Sequence, residues 1–155
     1  MGVPFQIETA TWHDLNMLRQ VEKVCFGEDA WPLFDLIAVL TFPNLIRLKA
    51  TVENSMDGNA STIMVGFVAG EIKTSEETGW ITTLGVLPTY RKQGIARGLL
   101  AACEERMNMP CVKLSVRQSN LAAIQLYQAQ GYHQTGVWPR YYLGGEDALV
   151  LEKER

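Results

Sequence analysis

The stretch LGVLPTYRKQGIARGLL, residues 84–100, decides the fold because it joins an apolar strand to a helix through a basic turn. From Gly94 onward, apolar residues recur at helical spacing. The first N–H groups of a helix have no partners within the helix, and the helix dipole is positive at that end. A pyrophosphate fits such a place. The stretch therefore predicts a strand–turn–helix unit that binds a phosphorylated ligand.

The turn, RKQGIA at residues 91–96, has the composition that an anion site needs. Gly94 lets the backbone approach an anion closely because it has no side chain, and Ala96 is small for the same reason. Positive charge comes from three side chains, Arg91, Lys92 and Arg97. Neither the GxxxxGK nor the GxGxxG pattern of other phosphate sites occurs, and an ordinary exposed helix start is the alternative on these residues alone.

The rest of the chain alternates between strand and helix patterns. Period-two patterns predict seven strands, at 5–9, 48–52, 62–73, 80–87, 112–116, 132–138 and 148–152. Apolar residues at helical spacing predict four helices, which begin near Thr11, Pro32, Gly94 and Asn120. Asp57-Gly58-Asn59 is typical of a hairpin turn. The order β-α-α-β-β-β-α-β-α-β-β indicates an α+β fold with a mixed sheet covered by helices on both faces.

Composition narrows the class of protein. A chain of 155 residues favours a single domain over residues 1–155. A net charge of −3 gives no electrostatic footprint for nucleic acid or for an anionic membrane. No apolar run approaches the ~20 residues of a membrane span. Three cysteines without a CxxC spacing indicate reduced thiols and a cytoplasmic location, and the two histidines are too far apart in sequence to suggest a metal site.

Three segments in order resemble the GNAT superfamily of N-acetyltransferases. RKQGIA at 91–96 matches the family's acetyl-CoA signature, [Q/R]-x-x-G-x-[G/A]. Residues 116–132 match its V-x-x-x-N-x-x-A-I-x-L-Y-x-x-x-G-F segment, with Tyr132 in place of the usual Phe. RYYLGGEDA at 140–148 resembles the YY…EDA ending of the RimI-like subgroup, which acetylates protein N-termini. The resemblance implies a mostly antiparallel sheet within α/β/α layers, and it covers the second half of the chain most closely.

The resemblance implies acetyl-CoA as cofactor, coenzyme A as product and no metal. Family members thread pantetheine between two splayed parallel strands, here 80–87 and 111–117. The implied cofactor contacts are Leu84, Gly85, Val86, Arg91, Lys92, Gln93, Gly94, Ile95, Ala96, Arg97, Asn120 and Tyr127. The N–H near Val86 is the expected oxyanion donor, a role suited to a preorganised backbone group.

The resemblance also implies the proton-transfer residues. An uncharged amine attacks the thioester directly, and Tyr127 occupies the family's position for the general acid that protonates the CoA thiolate. The general base departs from the family pattern. Ser115 stands where relatives often place Glu or His, and Trp80 stands where some relatives have Tyr. Neither has a basic site near neutral pH. We therefore hypothesise that Ser115 holds an ordered water, which relays the proton to Glu28 or Asp29. Solvent is the alternative proton acceptor.

On the acceptor side, the resemblance implies that Trp31, Tyr141 and Tyr142 bind the substrate. The acceptor that this subgroup implies is the α-amino group of a protein or peptide N-terminus. A small-molecule acetyltransferase acting on a polyamine, amino sugar or amino acid is the first alternative. A non-catalytic acetyl-CoA-binding module is the second. We expect a monomer or a homodimer, and no nucleic-acid or membrane partner.

Overall fold

The computed structural model describes residues 2–54, 58 and 61–155. The predicted turn at Asp57-Gly58-Asn59 lies mostly outside these residues. The two strands that it would join are antiparallel neighbours, and Asn54 pairs with Ser61.

The order of elements agrees with the sequence prediction. The strands are β1 Gln6–Thr9, β2 Leu45–Asn54, β3 Ser61–Lys73, β4 Thr78–Val86, β5 Cys111–Arg117, β6 His133–Trp138 and β7 Ala148–Glu154. The helices are α1 Leu15–Phe26, α2 Leu33–Thr41, α3 Ile95–Met107 and α4 Leu121–Ala129. Among the described residues, none of these helices is long and apolar enough to cross a membrane.

All seven strands form one sheet in the order β1-β2-β3-β4-β5-β7-β6. Every neighbouring pair is antiparallel except β4 and β5, which are parallel. The parallel pair is connected through α3, as parallel neighbours require a crossover. The mixed, mostly antiparallel sheet that was predicted is therefore confirmed.

Local signals explain where the helices begin and end. Before α1, the Thr11 N–H donates to Oδ2 of Asp14 at 2.8 Å, which is half of the predicted capping box. At α4, the side chain of Asn120 accepts from the Ala123 N–H at 3.2 Å, so the predicted N-cap is confirmed. Gly131 follows the helix with φ +96°, the conformation that glycine adopts most easily after a helix end.

The helices bury apolar residues on both faces of the sheet. On one face, α3 and α4 pack on the strands around a core whose largest fully buried side chains are Leu48, Ile95, Leu99, Leu100, Met107, Leu114 and Leu151. On the other face, α1 and α2 enclose a smaller core around Leu18, Leu36 and Phe67. The apolar side predicted for α2 is only partly buried, because Leu33 and Ile37 are 39% and 38% exposed.

Candidate active site

Strands β4 and β5 start as neighbours and then separate. They pair over residues 78–81 of β4 and 111–114 of β5. From Thr82 on, β4 keeps its pairing with β3, while residues 115–117 of β5 pair with β7. Thr82 is the extra residue of a bulge in β4, and a bulge bends the strand that carries it. The result is a gap between residues 82–86 and 115–117, at the place where the sequence predicts splayed strands.

Backbone groups of β4 line this gap. The Leu87 N–H donates to the C=O of Val65 in β3 at 2.8 Å. Because these groups alternate sides along a strand, the N–H groups of Leu84 and Val86 point away from β3 and into the gap. The C=O of Val86 accepts a hydrogen bond from Nε of Arg91 at 3.0 Å. The orientation of the Val86 N–H suits the predicted oxyanion donor.

Gly85 contributes space to the same strand. A Cβ at this position would lie 3.1 Å from Cε2 of Phe26 and 3.2 Å from Sγ of Cys25. Both residues belong to the end of α1, so the glycine allows the helix to lie directly on β4. By the alternation above, the backbone of Gly85 faces β3, and the predicted ligand contact therefore suits Leu84 and Val86 better than Gly85.

The basic turn presents free N–H groups at the start of α3. The first helical hydrogen bond runs from the Gly98 N–H to the Gly94 C=O at 3.0 Å, so the preceding N–H groups have no partner within the helix. Those groups belong to Ile95, Ala96 and Arg97. Lys92 and Gly94 both adopt positive φ, at 62° and 83°. Turns that contain left-handed residues expose successive N–H groups as a concave anion site.

The space around this turn also fits a phosphate group. A Cβ on Gly94 would have one heavy atom within 4 Å, Nη2 of Arg97 at 4.0 Å, so the approach to the backbone is open. Lys92 and Arg97 are exposed. The side-chain oxygen of Gln93 accepts a hydrogen bond from the Val3 N–H at 2.9 Å. This side chain is therefore engaged, and the backbone of Gln93 is left for the predicted ligand. These residues could hold a pyrophosphate, as the sequence predicts.

Tyr127 of α4 belongs to the same buried cluster as Val86 of β4 and Val116 of β5. It is 7% exposed, and its ring meets that of Tyr132 edge to face at a centroid distance of 5.7 Å. Burial, reinforced by the nearby Tyr142, raises the pKa of Tyr127. The phenol therefore carries its proton at neutral pH, which is the state that a proton donor needs.

Arg117 at the end of β5 joins two loops beside the gap. Its Nε and Nη2 donate to both carboxylate oxygens of Asp29 at 2.6 and 2.7 Å, and its Nη1 donates to Oε1 of Glu146 at 2.9 Å. The second oxygen of Glu146 accepts from the Ser119 N–H at 2.7 Å. The loop after α1 and the loop between β6 and β7 are thus fixed to one guanidinium group. The sequence analysis did not identify this role of Arg117.

Aromatic side chains from β4, from β6 and from the loop between β6 and β7 form a row. Trp80 stacks on Trp138 at a centroid distance of 5.8 Å, Trp138 lies 5.1 Å from Tyr141, and Tyr141 lies 5.0 Å from Tyr142. The Tyr142 hydroxyl is 3.4 Å from Oγ of Ser115, and the Arg117 guanidinium lies 4.6 Å from the Tyr142 ring centroid. Two predicted substrate residues and the predicted relay serine are therefore brought together.

The predicted proton acceptors differ in their surroundings. Both oxygens of Asp29 accept hydrogen bonds from Arg117, so this carboxylate is already engaged. Glu28 is exposed in the short 3₁₀ turn Gly27–Asp29. Trp31 is half-buried and follows the same loop. The role of Glu28 as base remains a prediction.

A further carboxylate, Glu22 of α1, escaped the sequence analysis. It is 2% exposed, its Oε1 accepts from the Thr83 hydroxyl at 3.0 Å, and its Oε2 has no partner within the described residues. Burial raises the pKa of Glu22, and hydrogen bonds from Thr83 and the Trp31 backbone oppose that shift. The sequence does contain a signal for Glu22, which is its position among Leu18, Val21 and Cys25. A charged residue on an apolar helix stripe is unusual.

Comparison with known proteins gives a consistent result. The model of the acetyltransferase (GNAT) family matches residues 16–132. The chain is 33% identical to the N-terminal acetyltransferase A complex catalytic subunit NAA10 of Arabidopsis thaliana, over 95% of this chain and 76% of that protein. It is 29% identical to the N-alpha-acetyltransferase RimI of Mycobacterium tuberculosis, over 97% and 93%. Arabidopsis thaliana Naa50, in complex with the bisubstrate analogue CoA-Ac-MVNAL, superimposes with a TM-score of 0.77 at 26% identity, over 99% and 100%.

Replacing Gly94 with Glu tests the phosphate site. Gly94→Gln is the matched control, because it imposes the same backbone strain at positive φ without adding charge. We expect Gly94→Glu to bind acetyl-CoA about 10²- to 10³-fold more weakly than Gly94→Gln, since like charges 4 Å apart near a protein surface repel by about 4 kcal/mol. Calorimetric titration measures both affinities. Equal affinities in two folded variants would contradict the placement.

Replacing Glu22 with Gln tests the cost of the buried charge. A raised pKa in the folded state means that the stability contributed by protonated Glu22 is lost as pH rises from the unfolded value through the folded value. The Tm of Glu22→Gln relative to wild type should therefore rise as pH increases from 4.5, the ordinary pKa of a Glu carboxyl, toward neutral pH. Glu28→Gln, which alters an exposed acid, should follow wild type. Thermal unfolding across that range decides, and a parallel pH dependence for Glu22→Gln and wild type would contradict the assignment.

Proposed function

The chain belongs to the acetyltransferase (GNAT) family, and we propose that it acetylates the α-amino group of a polypeptide N-terminus. It is an acetyl-CoA-dependent N-acetyltransferase. The observation that supports the acceptor assignment is the arrangement of two loops around Arg117, whose guanidinium also lies 4.6 Å from the ring centroid of Tyr142, one of the predicted peptide-binding residues. Relatives named as N-terminal and N-alpha-acetyltransferases support the same acceptor.

The acceptor would enter between the two loops that Arg117 joins. Tyr142 is half-buried and held by Ser115 and Arg117, while Tyr141 is 57% exposed and free to contact a ligand. Trp31 follows Asp29 on the other loop. Tyrosine and tryptophan provide rigid apolar surface with a polar group at the edge, which suits a short peptide with a hydrogen-bonding backbone.

The chemistry follows from groups on the two sides of the gap. Acetyl-CoA supplies the activated acetyl group when it is bound, and the basic turn and the backbone of Leu84 and Val86 would hold it. The Val86 N–H faces the gap, where it can donate to developing negative charge on the acyl oxygen. Tyr127, protonated at neutral pH, would return a proton to the leaving thiolate.

Proton removal from the acceptor needs only a weak base in this arrangement. An α-amino group has a pKa of about 7.7–8.0, so part of it is neutral at physiological pH. Ser115 could hold a water on the way to Glu28, as the sequence analysis proposes. The three free thiols fit a reducing compartment, and we propose that the enzyme acts in the cytoplasm.

Replacing Tyr127 with Phe tests the proton donor. We expect kcat to fall by about 10²- to 10⁴-fold, the usual contribution of a general acid, with little change in acetyl-CoA affinity. Tyr132→Phe is the matched control, because it removes the neighbouring buried phenol while keeping the ring. Steady-state kinetics compares the two variants. Near-normal turnover of Tyr127→Phe would assign Tyr127 a packing role.

A panel of acceptors tests the proposed function. Wild type should acetylate peptides with free N-termini and should not acetylate the same peptides when their N-termini are blocked. Tyr141→Ala combined with Tyr142→Ala should raise KM for peptides more than it changes acetyl-CoA affinity. Turnover of spermidine, amino sugars or free amino acids without any peptide product would replace this proposal with a small-molecule acceptor. Binding of acetyl-CoA without turnover of any amine would indicate a binding module.

A further inference from the structure

A groove lies between α2 and the sheet, next to the acceptor site. Its volume is about 520 Å³, within the range of about 300–1,000 Å³ that ligand pockets occupy. Its floor includes Leu45 and Glu71, which are paired across β2 and β3, together with Thr82 of β4. One wall is the side of α2 that carries Asp35, and Trp31, which precedes α2, also lines the groove.

The groove shares Trp31 with the proposed acceptor site. Trp31 belongs to both, because it follows the loop that Arg117 fixes and also lines the groove. Thr82 precedes Leu84 by two residues, about 7 Å along an extended strand. Thr82, the extra residue of the bulge in β4, itself lines the groove. A polypeptide whose first residue lies at the gap would reach the groove with its third residue.

The charged residues of the groove are acidic. Asp35 and Glu71 line it, and among the lining residues of the described part of the chain there is no Lys, Arg or His. Neither acid forms an ion pair with another described residue. The nearby lysines Lys73 and Lys113 lie over the Trp80 ring, at 5.6 and 6.0 Å from its centroid.

Most of the remaining groove surface is apolar, with Asn44 and Thr82 as its uncharged polar residues. Ala38 and Val39 of α2 and Leu45 of β2 line it, together with Phe42, which is 58% exposed. Lysine and arginine bury their aliphatic stems on such a surface while the charged group reaches an acid, and either can stack on an aromatic ring. The combination of apolar walls and two acids therefore matches a basic side chain better than an acidic or a small polar one.

We propose that this groove binds the residues of the acceptor polypeptide that follow its N-terminus, and that it selects a Lys or Arg at about the third to fifth position. This proposal rests on the proposed function, since it requires a polypeptide acceptor. It adds a second determinant of specificity, which acts on the downstream sequence and leaves the reaction at the α-amino group unchanged.

Hexapeptides that differ only at positions 3–5 test the groove. With a constant first and second residue, peptides carrying Lys or Arg should show kcat/KM about 3- to 30-fold above peptides carrying norleucine, as one or two partly exposed ion pairs would give. Peptides carrying Glu should fall below both. The preference should weaken between 50 and 500 mM salt.

Variants assign the preference to the groove. Asp35→Asn combined with Glu71→Gln should abolish the preference for basic peptides, measured as the ratio of kcat/KM for the lysine peptide to kcat/KM for the norleucine peptide. Glu105→Gln, an exposed acid of α3 on the opposite face of the sheet, should retain the preference. Ala38→Trp should lower kcat/KM for hexapeptides and spare dipeptides, because it fills the groove.

The outcomes separate this inference from the proposed function. Equal kcat/KM for basic, neutral and acidic hexapeptides, or a preference that survives the double substitution, would overturn the groove while peptide acetylation stands. Turnover of hexapeptides that is unaffected by Ala38→Trp would also overturn it. Failure of wild type to acetylate any peptide would instead refute the proposed function.

Discussion

The separation of β4 from β5 is the constraint on which the rest of the site depends. Parallel pairing lasts for residues 78–81 and 111–114 and ends at the bulge at Thr82. Buried backbone groups without partners are costly, so an open strand edge inside a sheet must be supported by its surroundings. Here Phe26 and Cys25 press on Gly85 from one face, and β7 continues the pairing of β5 on its far side. The unpaired edge of β4 is thereby available to a ligand that can supply the missing hydrogen bonds.

Two buried or partly buried polar groups connect the edges of this gap to their surroundings, which include the loop after α1 and the loop between β6 and β7. Arg117 extends from β5 and binds carboxylates of both loops, an arrangement in which each charge has a partner. Glu22 lies against β4 on the other side, where Thr83 bonds one oxygen and burial disfavours the charged form. In the first, the single positive charge of Arg117 faces two carboxylates, and each carboxylate accepts a hydrogen bond from the guanidinium. The second destabilises the fold when it is charged, because burial disfavours the carboxylate form.

Much of the fold could be predicted from the sequence because the relevant signals are local. The periodicity of Leu99, Leu100 and Cys103 and the cap at Asn120 depend on neighbours within a turn or two. The basic turn was identifiable for the same reason. The link from Arg117 to Asp29 spans 88 positions, and the link from Glu22 to Thr83 spans 61, so no local pattern reveals either. The engagement of Asp29 and of the Gln93 side chain likewise depends on partners that only the folded chain brings together.

The central claim is that the open edge of β4 holds acetyl-CoA through the N–H groups of Leu84 and Val86. Residue-resolved amide hydrogen exchange, with and without acetyl-CoA, tests it most directly. The N–H groups of Leu84 and Val86 should exchange faster in the free protein and gain strong protection on binding. Those of Gly85 and Leu87 face β3 and should change far less, since the Leu87 bond to Val65 is already formed. Equal protection of all four residues, or none at Leu84 and Val86 under saturating acetyl-CoA, would contradict this account.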